Sequence, residues 1–86
     1  MRFTIEQRHL TDGAGKPVPP TFAVTFHSCE ADSADAAVRE FVSDHGAEVI
    51  GEILRFPGFQ AVATMRDASG VFTLQVAPAS QQLSVR

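Results

Sequence analysis

The segment that most constrains the fold is residues 31–46, ADSADAAVREFVSDHG, the one stretch with helical periodicity. Apolar residues recur there every three or four positions, so they share one side of a helix. They are Ala34, Ala37, Val38, Phe41 and Val42. Asp32 or Ser33 can cap the start by accepting a hydrogen bond from a first-turn amide, and Gly46 can take the left-handed conformation that ends helices. We therefore predict one short helix with a defined start and end.

Apolar and polar residues alternate in five other segments, which is typical of half-buried β-strands. These are residues 2–9, 21–29, 48–56, 59–66 and 71–77. The resulting order ββαβββ predicts an α+β fold in which a single helix packs on one face of a mainly antiparallel sheet. A helix of ~20 Å returns the chain across the sheet, so the third strand runs parallel to the second. Placing the third strand beside the first instead of the second makes every neighbouring pair antiparallel. We therefore predict the strand order 2-1-3-4-5.

The alternation also predicts which side chains meet the helix. On the first, second and fifth strands we expect the aromatic residues on the helix side: Phe3, Phe22, Phe26 and Phe72. The third strand is apolar on both sides, a pattern that indicates burial of both faces. Its two sets are Ile50, Leu54 and Phe56 on one side and Val49 and Ile53 on the other. We expect Val49 and Ile53 to lie on the face away from the helix.

Length and composition bound the class of protein. The 86 residues suffice for one α+β domain, which we place at residues 1–78, and the polar, aperiodic residues 79–86 predict a flexible tail. No apolar run approaches the ~20 residues of a transmembrane helix, so no membrane partner is expected. Charged residues at positions 2, 6 and 8 interrupt any signal-sequence apolar run, and we expect a cytoplasmic location. The single cysteine, Cys29, excludes an internal disulfide.

No motif indicates a catalytic, cofactor or metal site. The sequence of residues 13–16, GAGK, lacks the first glycine and the hydroxyl residue of a phosphate-binding loop. His27 and Cys29 share a strand face and could form a metal or thiol site, but we favour the interpretation that they belong to a solvent-facing strand end. The carboxylate pairs, Glu48 with Glu52 and Asp32 with Asp35, occupy capping or alternating positions. We predict no catalytic, cofactor-binding or metal-binding residues, and an enzyme is left open but without support.

The charge pattern argues against a nucleic-acid partner. Net charge is −3, whereas non-specific nucleic-acid binding requires a basic face. Four arginines could share the sheet face opposite the helix, namely Arg2, Arg8, Arg55 and Arg66. Base stacking also needs exposed aromatic rings beside such arginines, and our assignment places the strand aromatics on the helix side.

The width of the sheet favours self-association. Five strands span roughly 19–24 Å, whereas a helix with its side chains is only ~10–12 Å wide. Phe56 and Phe59 flank a Pro-Gly turn, where they either cap the edge of the core or anchor a partner. We predict a noncatalytic protein-interaction domain that forms a homodimer or binds another protein through Val49, Ile53, Phe56 and Phe59. The alternative is a small ligand-binding or enzymatic domain with its pocket at the subunit interface.

Overall fold

A computed structural model describes residues 1–19 and 24–79. The elements follow the predicted order: β1 (Arg2–Asp12), β2 (Val24–Glu30), α1 (Ala34–Asp44), β3 (Glu48–Phe56), β4 (Gln60–Asp67) and β5 (Gly70–Pro78). The α+β class, with one helix between β2 and β3 packed against an antiparallel sheet, is confirmed. The predicted tail, apart from Ala79, lies outside the described residues.

The helix forms where its capping residues predict it. Ser33 is the N-cap, and its hydroxyl accepts a hydrogen bond of 3.0 Å from the amide of Ala36. Asp35 adds negative charge to the first turn, where the helix dipole favours it. After Asp44 the chain leaves the helix through Gly46, whose φ is 62°. The whole predicted stripe is buried, from Ala34 to Val42.

The strand order is β2-β1-β5-β4-β3, so the predicted order 2-1-3-4-5 is wrong. All neighbouring pairs are antiparallel in the observed order, as they would also have been in the predicted one. Strand direction therefore could not decide between the two arrangements. The observed order places β5 centrally, where it buries Phe72, Leu74 and Val76. It leaves β3, with its exposed charged residues Glu52 and Arg55, at an edge of the sheet.

The core lies between the helix and one face of the sheet. Phe3 and Ile5 of β1 are fully buried, as expected. The other strand residues of the buried hydrophobic core are Ala61, Ala63, Met65, Phe72, Leu74 and Val76. We call this side of the sheet the helix face and the opposite side the open face.

The predicted facing of β2 is wrong. His27 pairs with Ile5 across the strands, so the helix face of β2 carries His27 with Thr25 and Cys29. Phe26 pairs with Glu6 on the open face, and 59% of its surface is exposed. The error has a physical reason, because alternation separates two sets of side chains without showing which set meets the helix. Phe22 lies outside the described residues.

Alternation also left undetermined which set of β3 side chains meets the helix. Val49 pairs with the buried Met65, and both Val49 and Ile53 pack against the core on the helix face. Their predicted position on the far side is therefore wrong. The open face instead carries Leu54, which pairs with Val62, together with Ile50 and Phe56. The prediction that β3 is apolar on both sides is confirmed.

Candidate functional site

The most distinctive surface is a groove on the open face. Phe26 of the edge strand β2 and Phe56 of the opposite edge strand β3 both line it. Its floor is formed by short or polar side chains of the three strands between, including Thr4, Glu6, Gln75 and Ala77. The groove has a volume of about 510 Å³. Aromatic side chains at both ends of a floor of mixed polar and small apolar residues give a surface on which an apolar or planar group can be held.

Large apolar side chains are exposed on both edge strands, and two of them, Phe26 and Phe56, line this groove. Phe26 is 59% exposed, Leu54 53% and Phe56 48%. Phe59, in the turn after β3, is 59% exposed and has a φ of 60°. Of the two alternatives for Phe56 and Phe59, this exposure favours the anchoring of a partner over capping of the core edge, because about half of each side chain remains accessible. Leu54, Phe56 and Phe59 thus form a run of accessible apolar side chains at the β3 edge, which is typical of interaction surfaces.

The arginines of the open face are neutralised by neighbouring carboxylates. Arg8 Nη2 lies 3.0 Å from Glu6 Oε2, and Arg2 Nε lies 3.5 Å from Glu30 Oε2. Arg66 donates from Nε to Glu48 Oε2 over 3.0 Å. A face in which each cation already has an acidic neighbour presents little net positive charge to a phosphate backbone.

Arg55 does not belong to this set, which corrects its predicted position on the open face. It lies on the helix face, where its Nη2 is 3.0 Å from Asp35 Oδ1. Arg39 donates from Nε to the other carboxylate oxygen of Asp35 over 3.2 Å. Burial raises the pKa of Asp35, but the close contact with the Arg55 guanidinium and the hydrogen bond from Arg39 outweigh it and hold the pKa below its usual range. This ion pair joins the helix start to the edge strand β3.

A second polar cluster lies at the other end of the helix. The His27 ring lies 4.8 Å from the Phe41 ring and 5.8 Å from the His45 ring, measured between centroids. His27 Nε2 is 2.8 Å from Gln7 Oε1, and His45 Nδ1 is 2.8 Å from the carbonyl oxygen of Phe41. Both imidazoles are therefore held by hydrogen bonds and by the Phe41 ring. His27 and Cys29 are half-buried on the helix face, so this strand end is only partly open to solvent.

The chemistry of this cluster does not fit an activated thiol. Burial raises the pKa of Cys29, and the negative charges of Glu40, Glu30 and Asp44 raise it further. An activated thiol needs the opposite environment, with cations or a helix N-terminus nearby. Within residues 1–19 and 24–79, no group of three or more His, Cys, Asp or Glu side chains is placed to hold a metal ion.

The pairing of His27 with His45 predicts pH-dependent stability. Burial lowers the pKa of His27 below 6.5, and the charge of His45 lowers it further. In the unfolded chain His27 binds a proton near pH 6.5, whereas the folded chain resists protonation until a lower pH. We therefore expect the free energy of unfolding to fall as the pH drops below 6.5 toward the folded-state pKa of His27.

Urea unfolding at a series of pH values between 7.5 and 5 measures this dependence. His27→Gln keeps a hydrogen-bonding side chain but cannot titrate, so its stability should vary less over the same range. Equal slopes for the two proteins would show that His27 is not the group responsible.

The remaining sequence motifs have structural roles. Asp12 Oδ1 accepts hydrogen bonds of 2.9 Å from the amides of Ala14 and Lys16, so these loop amides already bind a carboxylate of the chain itself. Such a loop is unlike one that presents its amides to a phosphate. Of the predicted carboxylate pairs, Asp35 and Glu48 form ion pairs, and Asp32 and Glu52 are exposed. None of the four lies in an apolar pocket.

Sequence reasoning missed the groove because it depends on the β1–β2 register. Phe26 and Phe56 are 30 positions apart and lie on strands at opposite edges of the sheet. The only available signal was the short, alternating β2 segment, which leaves its facing undetermined.

The fold and this surface define a small α+β domain with one face of its sheet uncovered by the described part of the chain. Within that part, no helix has both the length and the apolar character required to cross a membrane.

Comparison with protein-family models, with curated proteins and with solved structures gives no match for this chain. Its cytoplasmic location stays a prediction.

Proposed function

We propose that this chain is a noncatalytic interaction domain that self-associates as a two-fold homodimer through its sheet. The observation that carries the proposal is the exposure of Phe26, Leu54 and Phe56 around the open face. Aromatic residues are enriched at protein interfaces and supply much of their binding energy. A second copy is the simplest partner, since two-fold dimers are the commonest closed assemblies.

The packing of β3 changes which residues can take part. Val49 and Ile53 are partly buried against the core, so they offer a partner less surface than Leu54 does. Phe56 and Phe59 remain exposed, so they stay available as contacts for a partner protein. Asp35 and the two arginines that bind it lie on the opposite side of the sheet and belong to the helix packing instead.

Sedimentation equilibrium at micromolar concentration tests the proposal, because the measured mass does not depend on molecular shape. We expect twice the chain mass of 9.2 kDa, with dissociation on dilution. A specific dimer of ordinary size buries ~1,200–2,000 Å² in total. A mass of 9.2 kDa at all accessible concentrations would contradict self-association.

The groove supports a second candidate function, the binding of a small ligand. Its volume of about 510 Å³ lies within the range of roughly 300–1,000 Å³ found for ligand pockets. The Phe26 and Phe56 rings would hold an apolar body, and Thr4, Glu6 and Gln75 would supply hydrogen bonds.

A screen of small aromatic compounds by NMR separates this candidate from pure self-association. Binding in the groove should shift the amide signals of Thr4 and Gln75 and should be weakened by Phe56→Ser. Shifts spread evenly over the surface, or unaffected by Phe56→Ser, would argue against a ligand site.

A further inference from the structure

We infer that two copies join edge to edge, with β2 of one copy pairing antiparallel with β2 of the other, so that the two sheets become one. This inference rests on the proposed self-association and specifies which part of the sheet makes the contact. Three independent features of the described chain point to the β2 edge: the difference between the two sheet edges, the direction of the backbone groups of β2, and the charges of the open face.

The two edges of the sheet differ in how well they can accept another strand. The edge strand β3 has a register shift between Ile50 and Leu54, where Gly51 has a φ of 74°. Bulges and charged residues such as Glu52 and Arg55 protect an edge from pairing. The other edge, β2, pairs with β1 without any register shift from Val24 to Glu30. It contains no Asp, Glu, Lys, Arg or Pro before Glu30.

The hydrogen bonds beside β2 show which of its backbone groups point outward. Met1 and Ala31 exchange two bonds, from the Ala31 amide to the Met1 carbonyl (3.0 Å) and from the Met1 amino group to the Ala31 carbonyl (3.1 Å). In an antiparallel ladder such pairs alternate with pairs that make no bond to each other. Counting back along the register shows which residues of β2 have backbone N–H and C=O groups that point away from β1. They are Val24, Phe26, Ser28 and Glu30.

The side chains of these same residues lie on the open face, which links the β2 edge of the described sheet to the exposed Phe26. In a two-fold pair centred on Phe26, the two Phe26 rings face each other across the new strand pair. Aromatic pairs across antiparallel strands are stabilising. Val24 then faces Ser28 of the second copy, and no charged residue faces another of the same sign between positions 24 and 28.

Pairing by open faces is disfavoured by comparison. It would bring the ion pair of Glu6 with Arg8 into the interface, where Glu6 lines the groove floor. Removing such charges from water carries a large desolvation cost. Edge pairing leaves these groups in solvent and supplies partners for the outward backbone groups of β2.

Amide hydrogen exchange on the unaltered protein tests the inference directly. In the paired state the amides of Phe26 and Ser28 are hydrogen bonded, so their exchange should slow by at least about tenfold as the protein concentration rises through the association range. The amides of Ile50 and Leu54 on the other edge serve as the control and should not respond. Self-association without protection at Phe26 and Ser28 would overturn the edge contact while leaving the proposed function intact.

A pair of substitutions at one position provides a second test by sedimentation equilibrium. Ser28→Pro removes an outward amide that the β1–β2 ladder does not use, and edge strands tolerate proline at such positions. We expect Ser28→Pro to sediment as a monomer and Ser28→Ala, which keeps the amide, to sediment as the unaltered protein does. Far-UV circular dichroism shows whether each variant is folded, and if Ser28→Pro is unfolded the exchange measurement decides.

A substitution on the other side of the open face separates the two modes of pairing. Leu54→Glu places a charge on β3, far from the β2 edge, so an edge-paired dimer should survive it. Dissociation by Leu54→Glu together with a stable Ser28→Pro dimer would overturn the edge contact in favour of pairing by faces. A monomeric unaltered protein would overturn the edge contact and the proposed function together.

Discussion

Replacing Phe41 by alanine is expected to lower the free energy of unfolding by about 3–5 kcal/mol. Phe41 is the largest side chain of the helix stripe and only 7% exposed. Its ring also supports the imidazoles of His27 and His45, at centroid distances of 4.8 Å and 4.0 Å. Truncation leaves a cavity in the contact between α1 and the sheet, and a domain of this size has little stability to spare.

Thermal and urea unfolding followed by circular dichroism measure this loss. Phe59→Ala is the matched control, because it removes the same side chain at a position that is 59% exposed. We expect that control to stay within about 0.5 kcal/mol of the unaltered protein. If Phe41→Ala were as stable as Phe59→Ala, the helix could not be packed on the sheet as described.

The second large effect is expected at Gly70, the first residue of β5. A Cβ added there would collide with the carbonyl oxygen of Thr11 and would lie 2.8 Å from the carbonyl carbon of Asp12. The φ of Gly70 is 131°, a conformation that other residues rarely adopt. Backbone strain of this kind costs about 1–3 kcal/mol, and the collision with β1 adds to it.

Gly70→Ala should therefore reduce the urea midpoint strongly or prevent folding. Gly46→Ala is the control, since a Cβ at Gly46 would meet no atom within 4 Å, although its φ is also positive. It should cost only about 1–2 kcal/mol. A Gly70→Ala protein that loses no more stability than Gly46→Ala would contradict the close approach of β5 to β1.

Local chemistry explains why the helix was predictable in detail. The stripe from Ala34 to Val42, the cap at Ser33 and the exit at Gly46 depend on contacts within a few positions of the chain. The existence and approximate limits of the strands were predictable for the same reason. The class of the fold then followed from the number and order of these elements.

The candidate site was not predictable because it depends on choices that alternation leaves open. A strand with two sets of side chains can turn either set to the helix, and shifting the pairing by one residue exchanges them. The choice was predicted correctly at β1, where Phe3 is buried, and incorrectly at β2, where Phe26 is exposed. The ion pair between Arg55 and Asp35 could not be predicted either, because it forms only when β3 lies beside the start of the helix.

The sequence by itself determined the elements, their order and the face of the helix that is buried, because short-range periodicity and capping specify them. Only the tertiary structure decided the strand order, the facing of β2 and β3 and the groove between Phe26 and Phe56. These depend on contacts between strands far apart in the chain, such as Ile5 with His27 and Ile5 with Val76. The physical reason is that several antiparallel arrangements satisfy the same local pattern, and only the packing of the whole core selects one of them.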